Sequence, residues 1–185
     1  VTDNDVDLGT TSLEFKDGYF DGTLHCDVLD LAGTEHTSIG GLSNYWNVKR
    51  TSNLSVSQNT TTTVTWNSTI VAQGVTDSTS SNGRITIGSG QAGWYVMHAI
   101  SRYADGPTDG KEKVYIQHYD TSGSSTELVG YGEMNTKGSY DTVDAHALAY
   151  LDVGDYVYVQ ANQNNDSTAN FIGSNGTGFM GYKIA

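Results

Sequence analysis

The sequence predicts an all-β protein: an antiparallel β-sandwich carrying an extended N-terminal arm. Three observations carry that expectation. Short apolar runs recur along residues 54–184, several of them alternating strictly between apolar and polar positions, which is the period of a strand. Gly, Ser, Thr and Asn fill the intervals, with 22 glycines against a single proline, a composition that marks frequent turns. No stretch holds apolar residues at the three-four spacing of an amphipathic helix, and strands without crossover helices pair antiparallel in a sandwich or barrel.

The elements follow in order. Residues 1–32 form the arm: acidic and extended over Val1–Asp7, then carrying Leu8, Leu13, Phe15, Tyr19, Phe20 and Leu24 between glycine turns. A piece this short cannot bury those side chains alone, so it needs symmetry mates or a host surface. Residues 33–51 read as a connector, broken by Gly33, Gly40 and Gly41, with Tyr45, Trp46 and Val48 docking it. The adjacent Lys49-Arg50 reads as a solvated basic pair. Residues 52–185 form the head. Its strands are expected at 54–57, 62–66, 70–73, 83–87, 94–101, 113–119, 126–133, 145–150, 156–161, 169–172 and 178–184, separated by turn clusters such as Ser81-Asn82-Gly83 and Thr121-Ser122-Gly123.

The most informative stretch is Leu151-Asp152-Val153-Gly154-Asp155 running into Tyr156–Gln160. A Val-Gly-Asp turn feeds a strand in which Val157 and Val159 share one face and Tyr156, Tyr158 and Gln160 the other. Such a strand fills a core with one side and offers aromatic surface on the other. Two readings stand for that second side: a partner surface, or tyrosines at the surface of an ordinary sandwich.

Two resemblances extend this reading. Leu8-Gly9-Thr10-Thr11-Ser12, then Phe15-Lys16-Asp17, Tyr19 and Asp21-Gly22 resemble a motif of tail-fibre and other virion proteins of marine bacteriophages. In those proteins the motif is often repeated along a stalk; its single occurrence here implies a short anchor. Gly-Arg-Ile-Thr-Ile (83–87), Gly-Trp-Tyr-Val-Met (93–97), Val-Tyr-Ile (114–116), Leu-x-x-Gly-Asp-x-Val-x-Val (151–159) and Gly-Phe-x-Gly-Tyr (178–182) are similar, in order and spacing, to the globular head of complement component 1q and its tumour-necrosis-factor-like relatives. That resemblance implies a ten-strand jelly roll assembling as a homotrimer. Together the two imply a virion structural protein, a capsid or tail fibre, knob or decoration protein at the particle surface. The arm would contact other virion proteins, and the head would be displayed for host attachment. The alternative is a secreted or cell-surface carbohydrate- or receptor-binding module.

Charge and chemistry narrow the classes further. A net charge of −12 with only 9 Lys and Arg argues against nucleic acid and against an anionic membrane. No signal-peptide pattern and no apolar run of bilayer-spanning length are present. One cysteine, Cys26, allows no intrachain disulfide and reads as a packed thiol. The loop Asp105–Gly110 reads as a plain acidic turn rather than a calcium loop, since it lacks EF-hand spacing. The five histidines lack metal-ligand spacing and no serine sits in a nucleophile elbow, so neither an enzyme, a metal nor a cofactor is expected.

The interface expectation comes last. In Trp94–Ser101, Trp94, Val96, His98 and Ile100 share one face and Tyr95, Met97 and Ala99 the other, both largely apolar. A strand needing cover on both faces calls for a threefold self-contact, with Val96, His98, Tyr156 and Tyr158 approaching the axis. The competing reading of His98 is a hydrogen-bonded core histidine. Receptor contact, where present, is expected from loop aromatics at Tyr103, Tyr131 or Tyr140.

Overall fold

A computed structural model of the chain describes residues 29–31, 34–36, 44–78, 82–104, 110–135, 141–164, 169–171, 173 and 176–184. The arm side chains Leu8, Leu13, Phe15, Tyr19, Phe20 and Leu24, the loop residue Tyr140, Cys26 and the 105–109 loop lie outside these residues. Every described regular element is a strand, in agreement with the all-β prediction. The chain divides into two units, Val1–Gly41 and Leu42–Ala185. In the first, β1 (Leu29–Leu31) and β2 (Thr34–His36) pair as an antiparallel hairpin.

The second unit is a two-sheet sandwich. One sheet contains β4 (Leu54–Val56), β14 (Ala169–Phe171), β9 (Gly93–Ala104), β15 (Gly178–Lys183), β3 (Tyr45–Lys49) and β6 (Ser68–Gln73) in that order, with β12 (Asp141–Leu151) pairing along β9. The other runs β11 (Ser125–Asn135), β10 (Lys111–Asp120), β13 (Tyr156–Gln163), β8 (Arg84–Ile87) and β7 (Val75–Ser78), with β5 (Thr62–Thr63) also on β13. Gly74, at φ 68°, ends β6 and turns the chain into β7 of the opposite sheet, a left-handed conformation that glycine adopts without a Cβ penalty.

Two elements depart from the sequence prediction. Tyr45–Lys49 is a full strand paired on both sides, not a connector, and its Trp46 and Val48 are buried. The strand-bearing unit therefore begins upstream of residue 52. Arg50 is also buried, not solvated: its guanidinium donates to the carbonyls of Ser52 (3.0 Å), Asn53 (3.3 Å) and Thr65, and to Thr65 Oγ1 (2.9 Å). Desolvation lowers its pKa, and those acceptors compensate the buried cation. The second departure is β7, which has one apolar residue, Val75, and gave no alternating signal.

The core forms where the two inner faces meet. Trp46, Val48, Tyr95, Met97, Ala99 and Phe179 come from one sheet; Ile85, Ile87, Val114, Ile116, Val157, Val159 and Ala161 from the other. Phe179 lies 5.4 Å from Trp46 and 6.2 Å from the stacked Trp66, a packed aromatic centre. Gly181 makes room for it, since a Cβ there would sit 2.2 Å from Cζ2 of Trp46. Ahead of Leu151, the inward residues of β12 are Val143, Ala145, Ala147 and Ala149, and Gly132 of β11 passes so close that its Cβ would meet the Asp144 carbonyl at 1.9 Å. Small side chains on both strands let the sheets close at this end.

Candidate functional site

The Val-Gly-Asp turn anchors one end of the sandwich. Gly154 takes φ 92°, and its N–H donates to the Ile87 carbonyl (2.9 Å). Asp155 is buried, and its carboxylate accepts from the Thr121 and Asp152 N–H groups, both at 2.9 Å, and meets His118 Nε2 at 2.8 Å. One carboxylate thus ties the turn to β10 and fixes where the Tyr156–Gln160 strand begins. That position sets which residues face out.

Two outward faces result, one per sheet. On the β9 sheet, cross-strand register places His146 opposite His98, Leu148 opposite Val96 and Tyr150 opposite Trp94. On the other flank of β9, Met180 is opposite His98 and Tyr182 opposite Val96. Trp94 (46% exposed), Leu148 (59%), Tyr150 (47%), Met180 and Tyr182 are therefore one contiguous apolar surface. The two imidazoles stack at 4.3 Å and 7°, Trp94 and Tyr150 meet edge to face at 5.8 Å, and Asp144 lies 3.6 Å from His98. A shallow hollow of about 180 Å³ extends the face, lined by Asn47, Ile70, Ile100 and Met180 among others.

The β13 sheet presents a different chemistry. Tyr119 and Tyr156 stack at 4.7 Å and 12°, with Tyr158 5.9 Å beyond Tyr156. Tyr115 and Tyr131 meet at 5.5 Å on the neighbouring strand pair, and Gln117 donates to Gln160 at 3.1 Å. The Arg84 guanidinium lies 4.1 Å over the Tyr156 ring. Glu133 accepts from Lys111 (2.5 Å) and from the Tyr131 hydroxyl. The Lys111 ammonium and then the phenol hold its carboxyl at about 2, and the same carboxylate pushes the Tyr131 phenol up to about 12.

These placements sort the predicted site residues. Val96 and His98 lie side by side on the apolar face, as alternation requires. Tyr156 and Tyr158 do not join them: β9 and β13 belong to different sheets, so their outward faces look to opposite sides of the sandwich. Tyr103 is no loop aromatic. It is 1% exposed in β9, its hydroxyl donates across the core to the Lys113 carbonyl (2.9 Å), and burial, reinforced by Glu112, raises its pKa. Tyr131 is exposed but sits on a strand, not in a loop. Sequence reasoning missed His146, Leu148, Tyr150, Met180 and Tyr182. The signal was present in 145–150, where alanines alternate with larger residues.

Neither a protein-family model nor a curated protein sequence matches the chain. Solved structures do. Murine APRIL at pH 5.0 aligns over 76% of this chain and 98% of its own, with 13% identity and a TM-score of 0.58. Eiger TNF from S. frugiperda covers 77% of this chain and 92% of its own at 12% identity and TM-score 0.58. The globular domain of zebrafish complement 1qA covers 77% and 98% at 15% identity and TM-score 0.55. The fold is a complement-1q/TNF-like jelly roll. In this chain it has no helix long and apolar enough to cross a membrane among the described residues.

Proposed function

We propose that the chain is a homotrimeric structural head, self-associating through the outward face of β9, β12, β15 and β3. The observation that carries this is the inverted pattern of β12, where Ala145, Ala147 and Ala149 are buried while Leu148 and Tyr150 are exposed. A strand that puts Leu148 and Tyr150 outward needs cover that the described residues do not supply. A threefold closure covers three copies of one face with no open end, and the fold similarity to TNF- and complement-1q-type domains supports that symmetry. Sedimentation equilibrium of the full chain tests it. A mass near three times 19.8 kDa supports the reading, and a monomer at micromolar concentration and neutral pH overturns it.

The setting we infer is a virion surface, with residues 1–32 as the attachment arm. The Leu8–Gly22 motif supports this. Deleting residues 1–32 should leave the trimer intact and abolish incorporation into particles; normal incorporation of the truncated chain would refute the arm. A second reading, a secreted or surface carbohydrate-binding module, is favoured by the tyrosine-rich face of the β13 sheet.

A further inference from the structure

β8 and β5 share one edge of β13: β8 pairs at Tyr156 and Val157, β5 at Gln160 and Ala161. Where they meet, opposite Tyr158, a groove of about 340 Å³ opens, lined by Thr63, Thr65, Asn82, Arg84, Tyr156, Tyr158 and Gln160. Its lining is unusual for this chain. It holds one of only 9 basic residues in a protein of net charge −12, and among the residues whose side chains are described no carboxylate pairs with that arginine. The guanidinium is instead laid on Tyr156, whose ring is itself stacked on Tyr119. Arg84, Tyr156 and Tyr119 thus lie against one another in turn, and a guanidinium seated on a ring keeps N–H groups that can meet a ligand.

We propose that this groove binds a saccharide bearing a carboxylate, with Arg84 pairing the carboxylate and Tyr158 supporting the sugar ring. The class follows from the lining. A guanidinium can pair a planar carboxylate through two parallel hydrogen bonds. The remaining groups are hydroxyls and amides (Thr63, Thr65, Asn82 and Gln160), donors and acceptors matched to sugar hydroxyls, beside a phenol ring suited to the C–H face of a pyranose. Among the described residues no aliphatic side chain lines the groove to seat an apolar peptide side chain. The site deepens the second reading above and is independent of self-association.

The test is a glycan array probed with the full chain, followed by calorimetry with oligogalacturonate and with a neutral glucan oligomer of equal length. Binding to carboxylated saccharides is expected. Arg84→Gln should weaken the oligogalacturonate at least about tenfold, the scale of one lost charged hydrogen-bond pair, and leave any neutral binding unchanged. Tyr158→Ala should abolish both, with an unaltered melting curve. Leu148→Arg, outside the groove, should keep the per-site affinity whatever it does to assembly. Absence of carboxylated saccharides among the bound glycans overturns the proposal. So does oligogalacturonate binding that survives Arg84→Gln and Tyr158→Ala at full strength.

Discussion

The two outer surfaces of this sandwich are built on the same strand geometry and dressed in opposite ways. The β9 face groups the apolar Trp94, Val96, Leu148 and Met180 with Tyr150, Tyr182 and the stacked His98 and His146, and is mostly apolar. The β13 face carries Tyr115, Tyr119, Tyr131, Tyr156 and Tyr158 among Gln117, Gln160, Arg84 and Glu133, and nearly every one has a polar handle. An apolar face gains free energy when another apolar face covers it. A tyrosine-amide face is already compatible with water and gains from partners that are themselves polar. The difference is the reason we propose self-association through the first face rather than the second.

The largest expected effect comes from placing a charge on each face in turn. Leu148→Arg should convert the trimer to a monomer of 19.8 kDa, since an arginine would be buried without a partner. Tyr158→Arg, the same kind of change on the other sheet, should leave the trimer mass unchanged. Sedimentation velocity of both variants reads the contrast, and equal behaviour of the two would erase it.

Next comes the anchor between the faces. Asp155→Ala removes the acceptor of two backbone N–H groups and the partner of a buried His118. Breaking such a buried pair costs about 3 kcal/mol. Urea unfolding should show that loss in the midpoint, and a change below about 1 kcal/mol would mean that the turn holds without its carboxylate.

The smallest effect sharpens the tyrosine face. Glu133 holds a proton less tightly in the folded chain, so it contributes stability above the ordinary carboxylate range that is lost as pH falls towards about 2. Glu133→Gln should flatten that acid limb slightly. It should also return the Tyr131 phenol from about 12 towards the ordinary tyrosine value in an alkaline titration.

Much of this was legible in the sequence. Alternation alone separated Tyr95, Met97 and Ala99 from Val96 and His98, and Val157 and Val159 from Tyr156 and Tyr158, and burial follows that division. Strand period says which residues share a face. It does not say which sheet the strand joins, because sheet membership is decided by pairings far apart in sequence, such as Gly178–Lys183 with Gly93–Ala104. That is why Tyr156 and Tyr158 were expected beside His98 and lie on the opposite side. Tyr103 was hidden for a related reason: β9 continues past the apolar run through Arg102 to Ala104, so an aromatic that reads as a loop residue is a core strand residue. The groove at Arg84 was not legible, since it exists only where β5 and β8 meet on β13.

The most direct test of the two-face account is hydroxyl-radical footprinting of the assembled full chain against Leu148→Arg. Trp94, Tyr150, Met180 and Tyr182 should be protected in the assembly and become labelled in the variant, while Tyr119, Tyr131 and Tyr158 should be labelled equally in both. Protection of Tyr158 and Tyr131 in the assembly, with Trp94 and Tyr150 freely labelled, would contradict it.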